Sequence, residues 1–399
     1  MKIVKIFIII FILFSLTGCF DYKEINNYAV VSAISIDKSD NENKKYTIGV
    51  QIMNAKKDEE EDASSIAFYK ANGDTIYEGL EQILLDLPKE LYLGHNEVLI
   101  LGEDLIKEKC PLNFLDYFLR DSEVEKDSLV IVAKEKKAYD VLKIITPLEA
   151  IPSRNLKETI KIADNFRGTL SSVTLDEFIS SLSNDGEEPV LPSVKILGKK
   201  NKGEKNENVS QSDPSAKIEI DKMAFFQNGR LKGYLTNEEE QGYKILSDTA
   251  NGTYVNVKCD KNNYATLRIE NGNTKEKLYF NNNTPIVNLG TNLTGRLLEY
   301  NCKADFLKSE KYIKKLENDA SKKVEKLAKK TIKKLYKDNS SDALKLGEKF
   351  YSKKNKYLKK YNIKEKEIRK LIKFKINSNV TIDRIGLSIK SVKEVSAHE

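Results

Sequence analysis

The chain has no tryptophan, three methionines, four cysteines and only two histidines in 399 residues. These shortages close off chemistry before any motif is sought. Two histidines, His95 and His398, are too few for a clustered His/Cys/carboxylate metal centre, and neither HExxH nor GxSxG occurs. A nucleotide site needs GxxxxGK[ST] or GxGxxG after a strand, because close approach to phosphate takes glycines and a helix N-terminus; both motifs are missing. His95 stands among polar neighbours in Gly94-His95-Asn96-Glu97, where an imidazole more often satisfies local hydrogen bonds than abstracts protons. No pair of titratable residues stands out as a tuned acid and base. The residues therefore read as a protein that is no enzyme and needs no cofactor or metal. Nor is there an apolar run of about 20 residues, the length that crosses roughly 30 Å of hydrocarbon.

What is present at the amino end is shorter and more telling. Lys2 and Lys5 precede an apolar stretch from Ile6 to Leu16, the order of a secretory signal. It ends in Leu16-Thr17-Gly18-Cys19, which resembles the bacterial lipobox. In lipoproteins the cysteine takes a diacylglyceryl thioether and becomes the new N-terminus. The expectation is that residues 1–18 are removed by cleavage between Gly18 and Cys19, and that Cys19 carries the lipid. Each buried methylene contributes about 0.8 kcal/mol, so two or more acyl chains hold stably. With Cys19 committed, Cys110, Cys259 and Cys302 remain, an odd number without CxxC spacing. That argues against a disulfide framework and a zinc site, and leaves a Cys259–Cys302 bond open.

Apolar residues make up 40% and charged residues 32%, the balance of a globular chain long enough for two or three domains. The net charge of +7 is concentrated between Lys308 and Lys337, where twelve lysines face four carboxylates. In the same segment Ile313, Leu316, Ala320, Val324, Leu327, Thr331 and Leu335 recur at three- and four-residue spacing, one face of a helix. The lysines then form a solvated face that needs no partner; a membrane-facing role is the alternative. Nothing points to nucleic acid.

The expected fold class is α+β, multidomain, with mixed sheets and packed helices. Strands are predicted at Tyr28–Ile36 and Tyr46–Met53, joined as a hairpin, with an acidic loop at Lys56–Asp62 after them. A helix follows from Asp74, which is placed to cap it, to Pro88. Short apolar runs at Val98–Leu101 and Leu129–Ala133 read as strands, with helices around Leu112–Leu119 and Leu156–Phe166. Residues 19–197 thus form an N-terminal α+β domain. Residues 198–216, rich in Lys, Asn, Gly, Glu and Ser, read as a linker. Residues 217–399 form a C-terminal α+β domain, an antiparallel-type sheet interrupted by long helices. It opens with a hairpin at Asn228-Gly229, because a type I′ turn needs positive φ at both central positions. Strands are predicted at Tyr254–Cys259, Ala265–Glu270 and Lys277–Phe280. Helices at Asp305–Lys337 and Asp342–Tyr361 and a closing strand region from Ile372 to Ile389 complete it.

Taken in order, several of these segments resemble the Ger(x)C family, the lipoprotein C subunits of bacterial spore germinant receptors. Members run from the lipidated cysteine into Trp-Asp, then Glu-Leu-Asn, then a strand ending in Gly-Ile-Asp. Here Cys19-Phe20-Asp21-Tyr22-Lys23-Glu24-Ile25-Asn26 leads to Ala33-Ile34-Ser35-Ile36-Asp37, with Phe20 for tryptophan and Ser35 for glycine. Further matches are Gly94 through Glu103, Phe118-Leu119-Arg120-Asp121, Ala224-Phe225-Phe226 through Leu235, Leu344 through Glu348, and Arg384-Ile385-Gly386. The resemblance implies a non-enzymatic subunit on the outer surface of the spore's inner membrane, beside A- and B-type membrane subunits and required for the response to nutrients. It places partner contacts at His95, Asn96 and Glu97 and at Phe225, Phe226 and Tyr234. The main rival is a solute-binding lipoprotein of an uptake system. Its ligand cleft calls for aromatic lining in a chain that has no tryptophan.

Overall fold

Two kinds of strand build the molecule, and they sort into two sheets. In the computed structural model the described residues are 27–54, 65–168, 170–259, 262–302 and 309–384. The signal segment, Gly18, Cys19, the acidic loop at Lys56–Asp62, Ile389 and His398 lie outside them.

The first sheet begins with β1 (Tyr28–Lys38), β2 (Tyr46–Met53) and β3 (Ile66–Gly73), an antiparallel meander that includes the predicted hairpin. Helix α1 (Ile76–Leu84) follows, capped by the Thr75 hydroxyl rather than by Asp74, whose N–H donates to Glu78 instead. Then come β4 (Glu90–Tyr92), β5 (Val98–Gly102), α2 (Glu103–Glu108), α3 (Asp116–Arg120) and β6 (Leu129–Ala133). Next are α4 (Ala138–Leu142), α5 (Pro152–Ile162), α6 (Leu175–Ser183) and β7 (Val190–Gly198). Strands β1, β5, β6 and β7 run parallel at the sheet's centre. Both faces of that centre are covered, which is why β5 and β6 are unbroken apolar runs. Ile34, Leu99 and Val130 share one core with Leu80, Leu105 and Phe118. Ala33, Val98 and Ile131 share another with Val141, Leu156 and Ile160 of α4 and α5.

Residues 198–216, expected as a linker, are instead an ordered connection within this sheet. After Gly198 comes α7 (Lys200–Gly203), and β8 (Ala216–Gln227) turns back to pair with β7. Buried Asn208 holds the loop, donating to the carbonyls of Ile145 and Ala216 and accepting from the Ala216 N–H. The polar composition marks a surface excursion, not a division between bodies. Strand β9 (Arg230–Tyr234) closes the sheet through Asn228 and Gly229, at φ 52° and 69°, the turn the sequence predicts. The change of sheet comes after Tyr234.

Helix α8 (Asn237–Leu246) leads to β10 (Tyr254–Lys258), β11 (Tyr264–Asn281) and β12 (Thr284–Tyr300). The two short strands predicted within 265–280 are one continuous strand: Asn271-Gly272-Asn273 pairs with β12 and is no turn. Strand β12 itself, with two glycines and several Asn and Thr residues, carries no strand signal that the sequence analysis used. Helices α9 (Glu310–Ile332), α10 (Leu346–Lys360) and α11 (Glu365–Leu371) precede β13 (Lys373–Arg384). Because these helices carry the chain back across the sheet, β13 lies parallel to β12 and the sheet is mixed, not purely antiparallel. Leu316, Ala320, Val324 and Leu327 of α9 pack on Val255, Leu267, Ile269 and Leu297 of the sheet, as the helical spacing predicts. Cys259 and Cys302 form a disulfide, Cα–Cα 6.1 Å, tying the end of β10 to the end of β12. A further core joins the two sheets, holding Val190, Met223 and Phe225 together with Ile332, Leu344, Phe350 and Ile368.

Candidate partner-binding surface

The loop Gly94-His95-Asn96-Glu97 enters β5 at the amino ends of the parallel strands. At Gly94 a Cβ would fall 2.5 Å from the Tyr92 hydroxyl and 3.1 Å from the Glu123 carbonyl, so a larger residue would have to push the tyrosine ring aside. The Glu97 backbone extends the sheet, donating to the Ser32 carbonyl and accepting from the Leu129 N–H. Asn96 and Glu97 are buried. Glu97 Oε1 lies 3.4 Å from Arg154 Nε and 3.6 Å from His95 Nε2. Of the three residues predicted to meet a partner, only half-exposed His95 presents its side chain to the surface. Glu97 accepts a long hydrogen bond from the Arg154 guanidinium and lies beside the imidazole.

Phe225 and Phe226 correct the prediction outright. They are 1% and 0% exposed, and neither ring can touch a partner. Adjacent residues on a strand point to opposite faces, and here both faces are covered. Phe226 sits edge-on to Phe178 at 5.7 Å in the first core, and Phe225 faces the core between the sheets. Tyr234 is half-buried at the other end of the sheet, with Lys134 Nζ 4.6 Å from its ring centre. Burial, then the neighbouring Glu103, push its phenol pKa up. Burial works against the Asp221 carboxylate beside it, but hydrogen bonds from Lys134 and Lys195 outweigh it and hold its pKa down. His95 marks the amino end of β5 and Tyr234 the carboxyl end, so the predicted contacts are not one site.

Other motif residues have structural duties that the sequence analysis missed. Asp37, which ends the Ser-Ile-Asp run, accepts the Ala138 N–H at 2.6 Å and the Tyr139 N–H at 3.0 Å, capping α4. Burial raises its pKa to about 6. Between the sheets, Arg369 of α11 donates to Glu188 and to Asn228, both at 2.6 Å, while the Asn228 and Gly229 N–H groups donate to the same carboxylate. Arg369 and Glu188 are both buried. Asp342 accepts from Leu346 and Gly347 N–H and from the Tyr336 hydroxyl, and burial raises its pKa to about 6. Gly347 packs against Gly186, leaving no room for a Cβ. The hairpin turn and the Leu344–Glu348 segment, far apart in sequence, thus build the joint between the two sheets. Among the described residues no group of three or more metal-ligating side chains converges.

Fold and site together define a multidomain α+β scaffold whose motif residues form turns, caps and one buried joint. Residues 21–196 match the family model described as spore germination protein N-terminal domain, and residues 221–386 match the model described as spore germination B3/GerAC-like, C-terminal. The chain belongs to the Ger(x)C family of spore germination proteins. It is 26% identical to spore germination protein KC of Bacillus subtilis (strain 168), covering 95% of this chain and 94% of that protein. It is 24% identical to spore germination protein B3 of the same organism, over 86% and 87% of the two chains. The crystal structure of the GerBC protein shares its fold, with a TM-score of 0.52, 21% identity and coverage of 88% of this chain and 97% of that one.

Proposed function

We propose that the protein is a membrane-anchored subunit of a nutrient germinant receptor, required for spore germination and acting through contacts with A- and B-type membrane subunits. In this reading Cys19, exposed by cleavage after Gly18, carries the lipid and holds the chain on the outer surface of the spore's inner membrane. The subunit catalyses no reaction. The observation that carries the reading is the lipobox-like Leu16-Thr17-Gly18-Cys19 directly upstream of a chain that matches both spore germination models. No helix among the described residues is long and apolar enough to cross a membrane, and attachment is assigned to acyl chains.

The test is Cys19→Ser in the native organism. The variant is expected to leave the membrane fraction and to abolish germination on nutrients, while the native protein yields an amino-terminal peptide with the mass of a lipidated cysteine. An unmodified start, or a Cys19→Ser strain that germinates normally, overturns the reading. A thermal shift of the purified protein with a nutrient panel separates it from a solute-binding lipoprotein: a ligand-dependent rise in Tm favours the binder.

A further inference from the structure

The open face of the second sheet carries its charge differently from the rest of the chain. On β11, Thr274, Glu276 and Leu278 turn toward the helices: Thr274 donates to the Ile245 carbonyl, Glu276 meets Lys349 at 2.8 Å, and Leu278 joins the core between the sheets. Lys275, Lys277 and Tyr279 therefore point the other way. The register sets Ile286, Asn288 and Gly290 of β12 beside them, then Lys373, Lys375 and Asn377 of β13. This tile holds four lysines and no carboxylate. Among the described residues none of the four has an acidic partner, and Lys375 lies over the Tyr279 ring, 6.0 Å from its centre. All four are exposed, and they flank a low centre, because Ile286 is 7% exposed and a Cβ on Gly290 would find nothing nearer than 3.9 Å.

The positive excess counted along the sequence lies elsewhere, between Lys308 and Lys337, but α9 neutralises much of it. Lys314 pairs with Glu310, Lys329 with Glu325, and Lys323 and Lys330 with Glu238. The tile has no such compensation. Cations gathered without counter-charge repel one another, and an anionic surface laid over them removes that cost. A protein partner fits poorly, because protein interfaces centre on apolar and aromatic side chains and are depleted in lysine, whereas asparagine and glycine occupy the middle here. A layer of anionic lipid headgroups asks only for positive charge within a Debye length, and lysine ammonium and asparagine amide groups both donate to phosphate oxygens. With Ile286 buried and Tyr279 half-buried, no apolar side chain projects from the tile to enter the acyl region, so the contact stays at headgroup level.

We infer that this face lies against the anionic lipid headgroups of the membrane that holds the chain, and so sets the orientation of the subunit on the bilayer. The inference rests on the membrane-anchored reading above, which supplies a tether but no membrane-facing surface.

The experiment uses the mature chain from residue 19 onward, carrying Cys19→Ser so that no acyl chain contributes, sedimented with vesicles of equimolar phosphatidylglycerol and phosphatidylcholine. Binding is expected to weaken more than about tenfold as the Debye length falls from about 10 Å at 0.1 M salt to about 3 Å at 1 M, and to be absent with phosphatidylcholine alone. Lys277→Gln/Lys375→Gln should lower the partition coefficient about 25-fold, about fivefold per lysine, the equivalent of about 1 kcal/mol each. Lys314→Gln/Lys329→Gln on α9 removes the same net charge from lysines that already have partners, and should change it less than about twofold. Equal losses from the two double variants, or an unsubstituted face that ignores anionic vesicles, overturn the inference and leave the lipid at Cys19 untouched. An unlipidated amino end in the native protein sinks the anchored reading alone, because the vesicle assay uses no lipid anchor. Both double variants are expected to keep the parent Tm; should either fail to fold, the salt and lipid dependence of the parent chain decides the matter. If Lys277→Gln/Lys375→Gln keeps its vesicle binding but no longer retrieves multispanning subunits from solubilised spore membranes, the face is a protein contact and the inference fails.

Discussion

Strands β5 and β6 bury every residue, whereas β13, in the second sheet, buries only Val380 of twelve. The difference follows from what lies on each face. The parallel centre of the first sheet has helices on both sides, so its side chains have no exposed direction to take. The second sheet has α9 on one side and water on the other, and its strands alternate. The first sheet is therefore intolerant at almost every central position and the second at every other one, which sets where substitution should be felt.

The sharpest break of that contrast is Phe226→Ala, which empties a fully buried site and should cost about 3–5 kcal/mol. Tyr264→Ala on the half-exposed β11 should cost less than about 1 kcal/mol. Urea unfolding of the two variants measures both, and equal midpoints would refute the distinction. Close behind is Arg369→Ala, which leaves Glu188 buried without its cation and should cost about 3 kcal/mol or more. Its further consequence is loss of cooperativity: calorimetry of the variant should resolve two transitions, one per sheet. The double variant Arg369→Met/Glu188→Gln should recover much of the stability, because no charge is then stranded. Gly229→Ala comes next, at about 1–2 kcal/mol, since φ is 69° and a Cβ would fall 2.7 Å from Cys110 Sγ.

The remaining effect is a pH dependence, comparable in size to the glycine substitution. Burial raises Asp37 and Asp342 to about 6 and Glu240 to about 7, above their unfolded values. The folded state then holds protons that the unfolded chain releases, so stability is fully present below the unfolded pKa values and is lost as pH rises through 6 to 7. Moving from pH 7.5 to 6 should raise stability by about 2 kcal/mol, read as a higher Tm. Glu240→Gln should flatten that slope, and an unchanged slope would show that this carboxyl does not carry it.

Legibility in the sequence followed the range of the interactions. Val98–Leu101 and Leu129–Ala133 announce buried strands because their runs are unbroken, and Asn228-Gly229 announces its turn because few residues take that backbone. The α9 face could be read from spacing alone. Strand β12 could not, because Gly290, Asn292 and Gly295 look like turn residues until β11 and β13 pair on both sides of them. Asp37 as a cap for a helix one hundred residues away, and Glu188 with Arg369 across 181 residues, are contacts that no local pattern encodes. The same limit misplaced Phe225 and Phe226: an aromatic pair beside a hairpin looks available until the second sheet covers it.

Strand β1 pairs with three other strands. Ladder bonds flank β1 on both edges, to β2 and β4 along its length and to β5 at its centre. A force applied along the axis of β1 would load those bonds in shear, all at once, instead of peeling them singly. Strain reaching that strand is therefore shared by three neighbouring strands of the first sheet.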